Sequence, residues 1–149
     1  MKTILVPVDL SVATSRVCDA ACALAQMSGA RLVLLHVVQP PTPLIVYDYY
    51  AFDTGMMAKA IAAGEKFAAR KLLALGRRCE RRGLKVQAVQ CTGQPLATIL
   101  DKAAETKAAY IVIGSHGHGA VFDLLAGSTT QGVLRKARQP VLVVPMGRR

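Results

Sequence analysis

Apolar residues along the chain fall into alternating blocks of two kinds, short unbroken runs and longer stretches with a helical repeat. Thr3–Val8, Arg31–Val38, Ala109–Ile113 and Val141–Val144 are the short runs, rich in Val, Ile and Leu. They fit strands, and continuous runs of this kind suit strands buried on both faces of a parallel sheet. Lys85–Cys91 alternates apolar and polar residues and reads as a further strand. Ala13–Met27 is an Ala-rich helical segment with Ser11 or Ser15 near its start and Ser28-Gly29 at its end. Ala58–Arg82 is a long amphipathic helix stopped by Gly83. Pro95–Thr106 carries proline in its first turn, where a missing N–H costs nothing. Thr129–Ala137 is the last helix, broken by Gln139-Pro140. Gln39–Thr54, with Pro40, Pro41 and Pro43 followed by Tyr47, Tyr49, Tyr50 and Phe52, reads as a long loop.

The resulting order, β-α-β-α-β-α-β-α-β, predicts an α/β domain spanning 1–149, a five-stranded open parallel sheet with helices on both faces and right-handed crossovers. Composition agrees. At 149 residues and 52% hydrophobic, the chain is long enough to bury roughly two-thirds of its unfolded surface without disulfide or metal staples. No apolar run approaches the ~20 residues of a membrane span. The opening Met1–Asp9 meets a proline and an acid and reads as a buried strand rather than a signal peptide. The expected location is the cytoplasm. The four cysteines, Cys18, Cys22, Cys79 and Cys91, form no CxxC pair and read as reduced, small core residues.

The net charge of +10 is concentrated in the long helix, in Arg70, Lys71, Arg77, Arg78, Arg81 and Arg82. At ~100° per residue the five arginines share one face, opposite Leu72, Leu75 and Cys79. A solvated helix face is preferred over a nucleic-acid surface, because no aromatic residue is interleaved and the chain has no Trp. The positive field would steer an anionic ligand toward the protein.

Ligands of open parallel sheets bind beyond the carboxyl ends of the strands, where the strand order reverses. Three segments fall there: Pro7-Val8-Asp9, His36-Val37-Val38, and Gly114-Ser115-His116-Gly117-His118-Gly119. The glycines of the last allow close backbone approach to a ligand. Gly127-Ser128-Thr129-Thr130, just before the last helix, adds backbone donors and three hydroxyls. Two anion-binding elements in one stretch suit a chain of phosphates better than a single carboxylate. A glycine turn with a Ser/Thr N-cap explains either element alone but not easily both. Gly114 and Gly119 have the Walker A spacing, but Ala120 and Val121 replace its Lys and Ser/Thr. A GxGxxG reading from Gly117 fails at Phe122. The pattern that fits is G-x2-G-x9-G-[ST], filled by Gly114, Gly117, Gly127 and Ser128.

That pattern resembles the ATP-binding type of the universal stress protein family, and the resemblance runs the length of the chain. Ile4-Leu5-Val6-Pro7-Val8-Asp9 with Ser11 is similar to the family's start, and Leu34-Leu35-His36-Val37 to its second strand. Ile113–Gly119, Leu124-Leu125-Ala126-Gly127-Ser128 and Pro140–Pro145 match its C-terminal signature in order and spacing. The resemblance implies a doubly wound, Rossmann-like fold of the adenine nucleotide alpha hydrolase-like kind, with strand order 3-2-1-4-5. It implies a regulatory, ATP-binding role (or AMP or ADP) in stress response. Pro7 would shape the floor of the base pocket, Asp9 would approach the adenosine, and Val37 would meet adenine through its main chain. Gly114, Ser115, His116, Gly117, His118, Gly119 and Ala120 would wrap ribose and phosphates, and Gly127, Ser128, Thr129 and Thr130 would bind phosphate oxygens. Mg²⁺ or Mn²⁺ would be held through the phosphates, without a protein cage. A homodimer through Val141–Val144 is implied as well. Gly132 departs from the longer residue usual in the last helix, at a cost of ~1 kcal/mol in helix propensity, and Thr129 replaces the common Val.

Several residues keep two readings. Asp9 is either a ligand contact or the N-cap of the first helix. His36 reads as a packed strand-end histidine and His116 as a ring beside ribose or phosphate. Tyr47, Tyr49 and Tyr50 either cap the base or pack the loop or a dimer. The three histidines have no HxxxH or other tight ligand spacing, so protein-held zinc or iron is disfavoured. No GxSxG elbow, Cys–base pair, acidic pair or HIGH motif marks a catalytic centre. The expectation is therefore a binding protein without catalytic residues. The alternatives are a slow ATP hydrolase or nucleotidyl-transfer enzyme on the same fold, and a nucleotide-free dimeric interaction protein.

Overall fold

A computed structural model describes residues 1–40, 54–115 and 127–145. In chain order the elements are β1 (Thr3–Pro7), α1 (Thr14–Ser28), β2 (Arg31–Val38), α2 (Thr54–Glu80), β3 (Val86–Thr92), α3 (Pro95–Glu105), β4 (Tyr110–Gly114), α4 (Ser128–Lys136) and β5 (Val141–Val144). All strand pairs are parallel, in the order β3-β2-β1-β4-β5. The fold is α/β with the expected 3-2-1-4-5 arrangement.

The strands' period of two sorts the core into two layers. Ile4, Val6, Leu32, Leu34 and Val112 face α1 and α2, where they pack with Val17, Cys18, Ala21, Cys22, Leu72 and Cys79. Leu5, Val33, Leu35, Ile111 and Ile113 face α3 and α4, against Ile99, Ala103 and Val133. Runs such as Ile4-Leu5-Val6 have no polar positions because both faces are covered. Each fully buried Leu, Ile or Val among them contributes roughly 1.5–3 kcal/mol. The first three strands lead outward from β1, with α1 and α2 on one face. The chain then returns to the other side of β1 through α3, on the opposite face. Strand order therefore reverses between β1 and β4.

Element ends differ from the sequence expectation by about a turn or less. α2 starts at Thr54 rather than Ala58 and gives way at Glu80 to a turn ending in Gly83 at φ +80°. α1 ends on Gly29 in the left-handed region, whose N–H donates to Ala25 O. β1 stops at Pro7, for a reason given below.

Cys18, Cys22 and Cys79 are buried and free. They share one core cluster across the α1–α2 contact. Burial pushes the Cys22 thiol up to about 11, so it is a neutral S–H at physiological pH and packs as a small core group. The arginine face of α2 is not wholly solvated. Arg78 and Arg82 reach Asp19 of α1 at 2.6 and 2.8 Å. Both pairs are open to solvent, so screening leaves them little weight in stability. No helix among the described residues is long and apolar enough to cross a membrane.

Candidate functional site

A cleft of about 440 Å³ lies over the carboxyl ends of β1, β2 and β4, at the point where strand order reverses. Ligand pockets commonly span ~300–1,000 Å³. Pro7, Val8 and Asp9 line it from β1, Leu35, His36, Val37 and Gln39 from β2, and Ile113 and Gly114 from β4. Ala13, Thr14 and Val17 of the α1 segment, Pro95 and Ile99 of α3, and Thr129 of α4 close the sides.

Pro7 opens this cleft. Odd residues of β1 turn their backbone toward β4, since Thr3 O accepts the Ala109 N–H. Pro7 lies on that side but has no N–H to give. The β1–β4 ladder accordingly ends at Leu5↔Ile111, and the two strands part beyond it.

On the other side, β1 pairs with β2 as far as Pro7↔Leu35, and Val8 N–H donates to Leu35 O. One more step of the ladder would carry the Val37 N–H to Val8 O. His36 takes that acceptor instead: its Nδ1–H donates to Val8 O at 3.0 Å. A carbonyl oxygen only accepts, so Nδ1 carries a proton. Val38 O accepts from Gly93 on the β3 side, so Val37, one residue earlier, turns its N–H and C=O toward the gap β1 has left. Among the described residues neither group has a backbone partner on that side. The end of β2 thus offers an adjacent donor and acceptor to the cleft.

Asp9 organises the turn from β1 into α1. Its Oδ1 accepts the Ser11 N–H at 3.0 Å and the Thr14 hydroxyl at 3.1 Å. Between them Leu10 adopts φ +61°, a left-handed conformation uncommon for a side chain of this size. The N-cap position itself is Ala13, with no side-chain cap. Asp9 therefore lines the cleft and holds the start of α1, but it is not the N-cap that one sequence reading made it.

The phosphate-binding candidates divide by what their groups already do. Ser115 N–H donates to Val144 O, and Gly127 N–H to Ser115 O. The Thr130 hydroxyl is buried and donates to Gly114 O at 2.9 Å. The last two bonds lock the start of α4 onto the end of β4 and the first ties that end to β5, so Ser115, Gly127 and Thr130 act here as supports. The first intrahelical bond of α4 is Gln131 N–H to Gly127 O. The main-chain N–H groups of Ser128, Thr129 and Thr130 have no acceptor among the described residues. The first turn of α4 contains no acidic side chain. Thr129 borders the cleft directly, and the positive end of the α4 dipole lies at its rim. His116, Gly117, His118, Gly119 and Ala120, together with Tyr47, Tyr49 and Tyr50, lie outside the described residues.

Sequence reasoning did not place Thr14, Val17, Pro95 and Ile99 at the site. They carry no chemical signature, and only the packing of α1 and α3 brings them there. It placed the segment His36-Val37-Val38 at this end of the sheet, with His36 as a packed strand-end residue, but not the bond from His36 to Val8 O.

An open, doubly wound α/β domain with a ligand-sized cleft at its switch point is the class that fold and site define. Within that class the chain belongs to the universal stress protein family, whose sequence profile matches residues 1–145. A universal stress protein of Thermus aquaticus is 35% identical over 145 residues, which cover 96% of this chain and 98% of that one. Universal stress protein UspA from Lactobacillus plantarum superposes with a TM-score of 0.79 at 25% identity, over 96% of this chain and 97% of that one. The Archaeoglobus fulgidus universal stress protein in complex with dAMP gives a TM-score of 0.66 at 22% identity, over 96% of this chain and 97% of that one.

Proposed function

We propose that this protein binds an adenine nucleotide, ATP foremost, as a regulatory module in stress response. The observation that carries the reading is the pairing of two complementary features on one cleft. The Val37 N–H and C=O match the N1 acceptor and N6 donor on the edge of adenine. The free N–H groups of α4's first turn match phosphate oxygens. The dAMP bound by the Archaeoglobus relative supports an adenine base in this fold. A metal fits only through the nucleotide. Among the described residues no three His, Cys, Asp or Glu side chains come together to hold an ion, so Mg²⁺ or Mn²⁺ would rest on phosphate oxygens. We read the site as binding rather than catalytic: its one described carboxylate, Asp9, is engaged in holding the α1 turn. The free cysteines fit a reducing compartment, the cytoplasm in this reading.

Thr129→Glu tests the phosphate half. A carboxylate in the first turn complements the helix dipole, worth about 0.3–1 kcal/mol, so the apo protein keeps its melting temperature or gains slightly. The same charge faces the phosphates. Calorimetry is expected to show ATP affinity reduced at least about tenfold, the scale of one charge-assisted contact. Unchanged affinity would remove the phosphates from α4.

The same proposal includes a homodimer. Among the described residues β5 pairs only with β4, and Leu142 is 42% exposed on this edge strand. A second copy would cover that edge. Leu142→Lys is expected to give a monomer in sedimentation experiments that still binds ATP. A variant with the wild-type sedimentation coefficient would rule out this edge as the interface.

A further inference from the structure

A second cleft, of about 370 Å³, lies on the far side of the β1–α1 turn, between the start of α1 and the C-terminal part of α2. It shares only Thr14 with the cleft described above. Lys71 and Arg78 of α2 and Arg81 just after it line one side, Ser11 and Ser15 the α1 side, and no acidic residue lines it among the described residues. Apart from Thr14, the rest of the wall is apolar: Leu10, Val12, Ala74 and Leu75.

Setting like charges three or four residues apart on one helix face is mildly unfavourable, and little on the protein offsets it here. The Asp19 carboxylate is shared between Arg78 and Arg82, one acid for two guanidiniums. Lys71 Nζ lies 4.8 Å from the Phe67 ring centroid, an attraction that leaves its charge in place. Arg81 has no ion-pair partner among the described residues.

We infer that this second cleft binds the phosphate group of a small organic phosphate ester. A phosphate dianion presents several strong acceptor oxygens to guanidinium, ammonium and hydroxyl donors, which is what this wall supplies. The apolar wall around Leu75 suits the organic part of the ester. The cleft is concave and has no aromatic lining on which nucleobases could stack, which favours a small molecule over a nucleic acid.

Phenyl phosphate is the probe, titrated into ¹⁵N-labelled protein and followed by NMR. Amide shifts are expected at Ser11–Ser15 and across 71–81. Lys71→Gln combined with Arg81→Gln removes two exposed cations and no ion pair seen in the structure, so this variant should fold. It is expected to bind the probe at least about tenfold more weakly. Thr129→Glu, which disables the first cleft, is expected to leave the probe's affinity unchanged. The inference is overturned if the shifts map to Gly114 and Thr129, if the double variant binds as wild type does, or if no binding occurs. Inorganic phosphate binding as tightly as phenyl phosphate would overturn the assignment to an ester.

Discussion

Gly132 shows how one residue can look like a defect in a sequence and act as a fitting in the structure. As a glycine inside a helix it costs α4 about 1 kcal/mol in propensity, and the family resemblance marks it as a departure. A Cβ built at this position would lie 2.6 Å from Leu96 Cδ2 and 3.0 Å from Cδ1. Gly132 thus permits the close approach of α3 and α4. Overpacking costs about 1–3 kcal/mol, more than the propensity gain. Gly132→Ala is therefore expected to lower stability in urea denaturation by about 1 kcal/mol. In a Leu96→Ala background the clash is gone, and the same substitution is expected to stabilise by about 0.5–1 kcal/mol. A more stable Gly132→Ala in the wild-type background would show that Leu96 yields freely. Thr130 teaches a related lesson. Its residue type signalled a hydroxyl near phosphate, but its proton is spent on Gly114 O, a use that no spacing in the chain reveals.

At the level of elements, strands and helices were legible because their signals are local. A run such as Leu32-Val33-Leu34-Leu35 has no polar position and is buried on both faces, as its composition demanded. Pro95 and Gly29 marked a helix start and a helix end for stereochemical reasons that hold in any fold. What was not legible depends on contacts between elements. That Asp19 takes two arginines 59 and 63 positions away in sequence follows from the docking of α1 on α2. The end of the β1–β4 ladder follows from which side of β1 Pro7 faces. The unpaired amides at the start of α4 were foreseeable as a class, since every helix has them, but which of them lack an acceptor among the described residues was not. Gly127 N–H turned out to be committed to Ser115 O, leaving Ser128, Thr129 and Thr130.

For the molecule as a whole, topology creates the site. Reversal of strand order between β1 and β4 leaves a crevice, Pro7 and His36 prevent the ladders on either side from closing it, and α4 sets its positive end at the rim. The candidate residues come from both ends of the chain, so the cleft exists only once the whole sheet has formed. In the proposed function, Val37 would offer one donor and one acceptor from its main chain to the edge of adenine. Guanine presents the opposite arrangement there, an O6 acceptor and an N1 donor. The direct test is calorimetric titration of the wild-type protein with ATP and with GTP, both in the presence of Mg²⁺. ATP is expected to bind at least about tenfold more tightly than GTP. Equal affinity for the two, or binding of neither, would contradict the account.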